Sequence, residues 1–331
     1  MSVELFGVSA VAFALFVGFG TLIGVLFGFF GMGGSFLVTP ALLAMGYPSR
    51  VAVGSGLAFV FGTSVIGALR HRDLGQVDYG LAALMTVSVT AGIEVGKRGV
   101  LWLEALGLAD AVVSGAYVVL LTLVGAFVVR DSRSRRTDER EPEGPKGLFE
   151  SVSIPPTMSL TGGPAVSVWV ILAIGTVVGV LAGFLGVGGG FLLMPAMTYG
   201  FGVPAAVAVG TDILQITVSG AVGSFLYAQS GGVDLGVVAP LLVGSAFGAR
   251  IGSAATRLVD EEGITGYFGA MLLLGALAVA VRQVGVAYGI DGLDAVSLAI
   301  IVVAALLVSG AVVYSSVAAL RDERTSAPSA D

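Results

Sequence analysis

The sequence contains no cysteine and a single histidine among its 331 residues. The absence of cysteine excludes disulfides, thiolate metal sites and thiol catalysis. The one histidine, His71, lies in a charged loop and can complete neither a histidine metal cluster nor a Ser–His–Asp triad. We therefore predict no metal, no cofactor and no enzymatic activity for this chain.

Charge is also scarce. Only 11% of the residues are charged and 56% are hydrophobic, whereas about a quarter of the residues of a soluble domain are charged. A basic patch with interleaved aromatic residues is absent, so nucleic acid is not expected as a partner. A chain of this composition lacks the polar surface that a water-soluble domain needs.

The sequence instead contains many long apolar stretches. A run of about 20 apolar residues matches the thickness of a bilayer core, and the N-terminal run lacks the positive region and cleavage site of a signal peptide. The apolar stretches are residues 6–30, 51–69, 79–95, 108–129, 166–185, 204–227, 235–249, 267–281 and 293–313. We predict an all-α, multi-pass integral protein of the cell membrane, with the lipid bilayer as its surroundings.

A polar segment divides these stretches into two sets. Residues 131–164 are rich in charge, proline, glycine and serine, and such a segment cannot bury enough apolar surface to fold alone. We interpret it as a solvated linker. The predicted organisation is a first membrane repeat over 1–130, this linker, a second repeat over 165–284, and an additional span and tail over 285–331.

The two membrane halves repeat one another. The stretch "GFFGMGGSFLVTP" at 28–40 agrees with "GFLGVGGGFLLMP" at 183–195 in eight of thirteen positions. At nearly the same offset, "VAVG" at 51–54 recurs at 207–210 and "VD" at 77–78 recurs at 233–234. A constant offset over more than a hundred residues indicates an internal duplication rather than coincidence among glycine-rich helices.

Arginine placement predicts the orientation of these halves. Arginines cluster in the linker, in the loop near residue 71 and in the C-terminal tail, and positive segments stay cytoplasmic. If the short segment 35–45 crosses the membrane, each half has five passes and the second half is inverted; if that segment is re-entrant, the halves are parallel. The tail arginines favour inversion, whereas Lys97 and Arg98 argue against it.

The duplicated glycine motifs are the predicted binding site. Inverted repeats with interrupted helices are typical of secondary transporters. Each motif precedes only about ten apolar residues, too few to cross as a helix at 1.5 Å per residue. A helix that starts there has unpaired N–H groups, which cannot face lipid and which suit an anion. The predicted contacts are Gly31, Gly33, Gly34 and Ser35 in the first motif and Gly186, Gly188, Gly189 and Gly190 in the second. Tight helix packing is the alternative use of such glycines.

Polar residues inside the second span of each half are further candidates. Asp212 lies deep in its span, with Gln215 one turn away. The carboxyl of Asp212 is either functional, for example as a proton-coupling group, or a structural hydrogen-bond partner. Ser55 and Thr211 occupy matching positions, and each hydroxyl contacts either the substrate or its own helix backbone. Arg250 is a candidate cationic contact to an anion, or it extends to the headgroups.

Two other sets of charged residues have predicted structural roles. Asp78 and Asp234 precede apolar spans and fit helix N-caps. Glu94, close to Lys97 and Arg98, is predicted to pair with them at the surface.

At the glycine motifs, the chain resembles the sulfite exporter TauE/SafE family of membrane transporters. The family pattern, a G-x-G-G-G-x-x-x-x-P type motif followed by A-V-G-T/S, is similar to "GMGGSFLVTP" with "VAVGSG" and to "GVGGGFLLMP" with "VAVGTD". The resemblance covers nearly the whole chain except the linker and the last span. The first copy has Ser35 where the second has Gly190, which would make the two half-sites unequal.

This resemblance implies transport of a small sulfur-containing anion such as sulfite or a sulfonate, in the direction of export. We predict a secondary transporter that holds the anion near the midplane of the membrane between the two glycine-rich half-helix N-termini, with H⁺ or Na⁺ as candidate coupling ions. A passive anion channel is the alternative, followed by an intramembrane enzyme or a sulfur-handling subunit. The sequence leaves the oligomeric state open.

Overall fold

The structure is a computed structural model, and it describes residues 4–5, 8–30, 36–70, 77–135, 148–149, 154–256 and 261–326. Almost all of these residues are helical. The helices are α1 (Ala10–Phe30), α2 (Val38–Ala44), α3 (Ser49–Arg70), α4 (Tyr79–Ala105), α5 (Ala109–Arg135), α6 (Val168–Leu185), α7 (Gly190–Pro195), α8 (Ala205–Ala228), α9 (Leu235–Ala255), α10 (Glu261–Tyr288) and α11 (Leu293–Ser326), and a π-helical turn (Ala196–Gly200) continues α7. Two antiparallel hairpins pair β1 (Glu4–Leu5) with β2 (Val8–Ser9) and β3 (Thr157–Ser159) with β4 (Ala165–Ser167).

Within the described residues, nine helices are long and apolar enough to cross a bilayer. They are all the helices except α2 and α7. The prediction of an all-α integral membrane protein is therefore confirmed. The order of long and short helices in α1–α5 recurs in α6–α10, as a duplication requires.

The predicted linker differs from the structure at both of its ends. α5 continues to Arg135, and the β3–β4 hairpin occupies the segment just before α6. Leu160 in that hairpin is buried, and the N–H of Thr161 donates to Oδ2 of Asp78 at 2.9 Å. An apolar contact and a backbone hydrogen bond thus order residues whose composition alone predicted a solvated segment.

The chain forms two compact units. The first comprises residues 1–31, 117–139 and 240–331, and the second comprises residues 32–116 and 140–239. α5 and α9 contribute to both units. Each unit therefore contains segments from both halves of the sequence.

In the first unit, α1 packs against the C-terminal part of α9 through glycines. A β-carbon on Gly24 would lie 2.6 Å from the Cα of Ser245, and one on Gly28 would lie 2.8 Å from the Cα of Ala249. Residue numbers rise together along both helices, so the helices run parallel. The hydroxyl of Ser309 in α11 donates to the carbonyl of Leu22 at 3.1 Å and attaches α11 to α1.

In the second unit, α4 and α6 pack in the same way. A β-carbon on Gly179 would lie 2.7 Å from the Cα of Val89, and one on Gly183 would lie 2.6 Å from the Cα of Ile93. These two helices also run parallel. Glycine rows allow such close backbone approach between membrane helices.

α3 and α8 pack antiparallel in the second unit. Gly54 of α3 lies beside Tyr227 of α8. Further along α3, Phe61 lies beside Gly220, with 3.3 Å between its Cα and a β-carbon on that glycine. α3 and α8 hold equivalent positions in the two halves, and a two-fold axis that exchanges antiparallel helices must be perpendicular to both. The packing therefore favours inverted over parallel halves.

Candidate functional site

The second glycine motif forms a break between α6 and α7. α6 ends at Leu185, and the N–H of Gly186 donates to the carbonyl of Ala182 at 2.8 Å. The φ angles of Gly186, Gly188 and Gly189 are 75°, 67° and 84°. These left-handed values are open to glycine and are strained for other residues. The helix break lies where the sequence predicts it.

This glycine segment runs along α3 and then alongside α8. A β-carbon on Gly186 would lie 2.8 Å from the Cα of Val53 near the start of α3, and one on Gly188 would lie 2.8 Å from Cγ2 of Val60, two turns further on. α7 then begins at Gly190 and leads to the start of α8. Residues 186–200 thus pass from the level of the end of α8 to the level of its start, as a crossing segment would.

The same segment contains several backbone N–H groups that have no backbone acceptor among the described residues. Its backbone hydrogen bonds end at Gly186 and resume where the N–H groups of Leu192 and Leu193 donate to the carbonyl of Gly189, both at 2.9 Å. Between them, the amides of residues 187–190 find no backbone acceptor in the described part of the chain. Residues 186–190 are buried. Buried amides without acceptors are rare in folded proteins and need a ligand, water or a side chain.

Asp212 lies directly against the start of α7. A β-carbon on Gly190 would lie 2.9 Å from Oδ2 of Asp212. The side chain of Asp212 is buried, with a relative exposure of 1%, and neither carboxylate oxygen has a hydrogen-bond partner among the described residues. The structural hydrogen bond that would explain this residue without a function is therefore not found in that part of the chain.

Gln215 adds a third unpaired acceptor on the same face of α8. Its Nε2 donates to Oγ of Ser219 at 2.8 Å, while its Oε1 has no hydrogen-bond partner in the segments that the structure describes. Residues i and i+3 of a helix are neighbours on its surface. The structure therefore places buried acceptors from α8 beside buried donors from the glycine segment.

Ser55 and Thr211 hold the two halves together. Oγ of Ser55 accepts a hydrogen bond from the N–H of Asp234 at 3.0 Å, and Oγ1 of Thr211 accepts one from the N–H of Asp78 at 3.1 Å. Each hydroxyl thus bonds to a backbone group of the opposite half rather than to its own helix. Both side chains are fully buried.

The predicted helix caps are confirmed. Oδ1 of Asp78 accepts a hydrogen bond from the N–H of Leu81 at 2.9 Å, and Oδ1 of Asp234 accepts one from the N–H of Gly236 at 2.8 Å. Each capping aspartate therefore has its side chain engaged in its own helix start and its N–H engaged with the other half.

The surface pairing of Glu94 is also confirmed. Its carboxylate contacts Nε of Arg98 at 2.8 Å and Nζ of Lys97 at 3.7 Å. These three charges pair with one another rather than with the residues of the buried site, although Oε2 of Glu94 is buried and makes no hydrogen bond among the described residues.

The remaining predicted contacts lie elsewhere or are not described. Arg250 belongs to the first unit, on α9, and its side chain is exposed. Gly31, Gly33, Gly34 and Ser35 lie outside the described residues, and so does His71. From the predicted set, the structure therefore brings Gly190 against Asp212, with Gln215 on the same face of α8, and it describes only the second of the two glycine motifs.

Two further buried side chains lie at this site that the sequence pattern did not predict. The hydroxyl of Tyr227 donates to the carbonyl of Gly183 at 2.6 Å, just before the glycine segment. Oγ1 of Thr39 donates to the carbonyl of Ala52 at 3.3 Å and lies beside Gly186. Thr39 is the one polar residue in "FLVTPALLA", which is a local signal, whereas the role of Tyr227 depends on the pairing of α6 with α8.

Nine candidate membrane helices among the described residues, together with a broken helix that has buried unpaired polar groups, indicate a multi-pass membrane protein and are features typical of transporters. The chain belongs to the sulfite exporter TauE/SafE family, whose model matches residues 16–279. The resemblance seen in the glycine motifs is therefore confirmed.

Relatives from bacteria and an archaeon carry transporter names. The "Probable membrane transporter protein YunE" of Bacillus subtilis is 25% identical over 271 residues, which is 80% of this chain and 95% of the relative. The "Probable membrane transporter protein YjnA" of the same organism is 27% identical over 237 residues, 71% of this chain and 86% of the relative. A probable membrane transporter protein of Methanocaldococcus jannaschii is 24% identical over 280 residues, 77% of this chain and 93% of the relative. No solved structure matches this chain.

Proposed function

We propose that this protein is a secondary transporter that exports a small sulfur-containing anion, sulfite-like or sulfonate-like, across the cytoplasmic membrane. The observation that carries the proposal is the run of buried amides at residues 187–190, which have no backbone acceptor among the described residues. Backbone N–H groups at the positive end of a helix are a general means of holding an anion.

The depth of these amides supports the same function. Gly190 lies beside Asp212 and Ile216, near the middle of α8, which has 24 residues. A helix of this length spans about 36 Å, so the middle of α8 lies well inside a bilayer core of about 30 Å. Irregular backbone at such depth is tolerated where it lines a protein or water-filled site.

The second half-site follows from the repeat. The first motif has the same pattern, and the antiparallel packing of α3 and α8 supports an inverted relation between the halves. In this arrangement two glycine segments hold one anion near the midplane, and the two halves rock about it to give alternating access. The linker and the C-terminal tail lie in the cytoplasm under the same proposal.

Flux measurements on the purified full chain in proteoliposomes test the function. We expect saturable efflux of radiolabelled sulfite, thiosulfate or a sulfonate, accelerated by unlabelled anion on the opposite side, with sulfate and a carboxylate as comparison anions. A channel shows no such acceleration. Equal flux for all anions, or none above empty liposomes, contradicts the proposal.

A glycine substitution tests the site. Gly188→Ala introduces a β-carbon 2.8 Å from Cγ2 of Val60 at a left-handed φ of 67°. We expect flux to fall by about a hundredfold, because displacing a positioned group by 1 Å costs on this order. Gly310→Ala, a helical glycine with no other group within 4 Å of the added carbon, is the matched control and retains the wild-type rate. If the Gly188→Ala protein stays folded and transports normally, the glycine segment is not part of the binding site.

A further inference from the structure

We propose that Asp212 is a tethered counter-ion of the glycine segment, which the substrate anion displaces from the amides as the carboxylate takes up a proton. This inference rests on the proposed function and names its coupling ion. The protein would then be a proton–anion symporter in which one side chain links the two solutes.

The first observation behind this proposal is the position of Asp212. Its carboxylate lies against Gly190 and is 1% exposed, and both oxygens lack hydrogen-bond partners among the described residues. An isolated charge inside a membrane protein is costly and needs a partner. The neighbouring donors without a backbone acceptor among the described residues are the amides of residues 187–190. The carboxylate and these amides are therefore complementary.

Other charged groups around α8 are engaged elsewhere. The titratable or charged residues on the elements that pack against α8, and on α8 itself, are Arg50, Arg70, Asp78, Tyr79, Glu94, Lys97, Arg98, Glu104, Tyr199 and Tyr227. Arg50 pairs with Glu104, Lys97 and Arg98 pair with Glu94, Asp78 caps α4, and Tyr227 donates to Gly183. Tyr79 is exposed and Tyr199 has another interaction. The side chain of Arg70 lies outside the described residues. None of the described basic side chains is paired with Asp212.

The chemistry of exchange follows from this arrangement. The same amides cannot satisfy a substrate anion and a carboxylate together, and two like charges a few ångströms apart repel strongly in a medium of low dielectric constant. One proton added to Asp212 converts its carboxylate to a neutral carboxyl, whose O–H can donate to the free Oε1 of Gln215. The amides are then free for the anion. Proton and anion bind together and leave together.

The stoichiometry follows from an asymmetry between the halves. The position equivalent to Asp212 in the first half is Gly56, where a β-carbon would lie 2.5 Å from Oγ1 of Thr39 and 2.7 Å from the carbonyl oxygen of Gly186. A carboxyl does not fit there. Among the described residues, this position of the repeat therefore carries an acid in one half alone, and we infer one proton for each anion carried.

The direction of coupling also follows. Since proton and anion move together, an inward proton gradient drives uptake. Export then requires an outward gradient of the anion that exceeds the opposing proton gradient.

The test uses the full chain in proteoliposomes with a radiolabelled sulfonate, whose charge does not change over the pH range tested. In the wild type, we expect an inward proton gradient to accelerate uptake by on the order of tenfold, a size typical of coupling between two sites. Asp212→Asn can neither take up nor release a proton, so we expect the ratio of its uptake with the gradient to its uptake without the gradient to fall to about one, whatever its basal rate. Asp212→Glu restores part of the acceleration. Asp234→Asn, which keeps a helix-capping side chain at a part-buried position away from Gly190, is the matched control and responds to the gradient as the wild type does.

Infrared spectroscopy provides a second readout that does not depend on transport. We expect a protonated-carboxyl band that titrates with pH in the wild type and is missing in Asp212→Asn. If Asp212→Asn still follows the proton gradient, or keeps the titrating band, this inference is overturned while the proposed function stands. If the wild type carries no anion at all, the proposed function fails and this inference fails with it.

Discussion

Single residues account for the connection between the two halves of the chain. The hydroxyls of Ser55 and Thr211 accept hydrogen bonds from the N–H groups of Asp234 and Asp78, the residues that cap α9 and α4. The same two aspartates therefore start a helix and contact the other half. A change in one hydroxyl is expected to affect the stability of this connection rather than the chemistry of binding.

Replacing Thr211 by valine is the corresponding prediction. The substitution leaves the N–H of the buried Asp78 without its acceptor, and an unsatisfied buried donor costs about 1–3 kcal/mol. We expect a lower denaturation temperature of the purified protein in detergent. Thr217→Val, which removes a hydroxyl bonded only to its own helix at the carbonyl of Ile213, is the control and changes the temperature little. Equal shifts for the two variants would show that the connection between halves contributes nothing.

Residues of this kind differ in how far the sequence predicts them. Asp78 and Asp234 are predictable as caps because a cap bonds to N–H groups two or three residues away. The partner of Thr211 is not predictable, because its acceptor role depends on a loop more than a hundred residues away. Asp212 was predictable as a candidate from its depth in an apolar span, but its lack of a partner is a property of its neighbours.

Among the elements, glycine rows decide which helices lie side by side. α1 and α9 share one row and α4 and α6 share another, with backbones close enough that a methyl group has no space between them. Such contacts replace the hydrophobic effect as the source of helix association inside a membrane, since lipid is as apolar as the helices. The glycine segment between α6 and α7 has a different use, because there the backbone is irregular.

Gly179→Ala tests the row between α4 and α6. The added methyl would lie 2.7 Å from the Cα of Val89, against backbone that cannot rotate away. We expect a loss of about 1–3 kcal/mol, as for overpacked cores, measured as a lower unfolding temperature. Gly115→Ala, in α5 with nothing within 4 Å of the added carbon, is the control and stabilises the protein slightly through helix propensity. A neutral result for Gly179→Ala would mean that α4 and α6 separate easily.

In the whole molecule, the relation between the two halves, inverted or parallel, predicts on which side of the membrane each segment lies. With inverted halves, the C-terminal tail is on the same side as the linker; with parallel halves, it is on the opposite side. Because the sequence has no native cysteine, a single introduced cysteine reports on which side of the membrane its position lies.

Labelling of intact cells with a membrane-impermeant maleimide distinguishes the two arrangements. We expect Gly144→Cys in the linker and Ser329→Cys in the tail to react only after the cells are permeabilised. Leu106→Cys, at an exposed position between α4 and α5, reacts in intact cells and serves as the positive control. A tail cysteine that is labelled from outside while the linker cysteine is not would exclude inversion.

Composition and local pattern were sufficient for the membrane class, the break at the second glycine motif and the two helix caps. Each of these depends on the solvent that a segment requires or on hydrogen bonds between near neighbours in the chain. The sequence did not predict which helices pack against each other. Because the two halves repeat one pattern, the glycines of α1 fit the glycines of α4 in the same half as well as those of α9 in the other. Only the folded chain decides that α1 pairs with α9 and α4 with α6, and it also decides that the donors of the glycine segment lie beside the unpaired acid of α8.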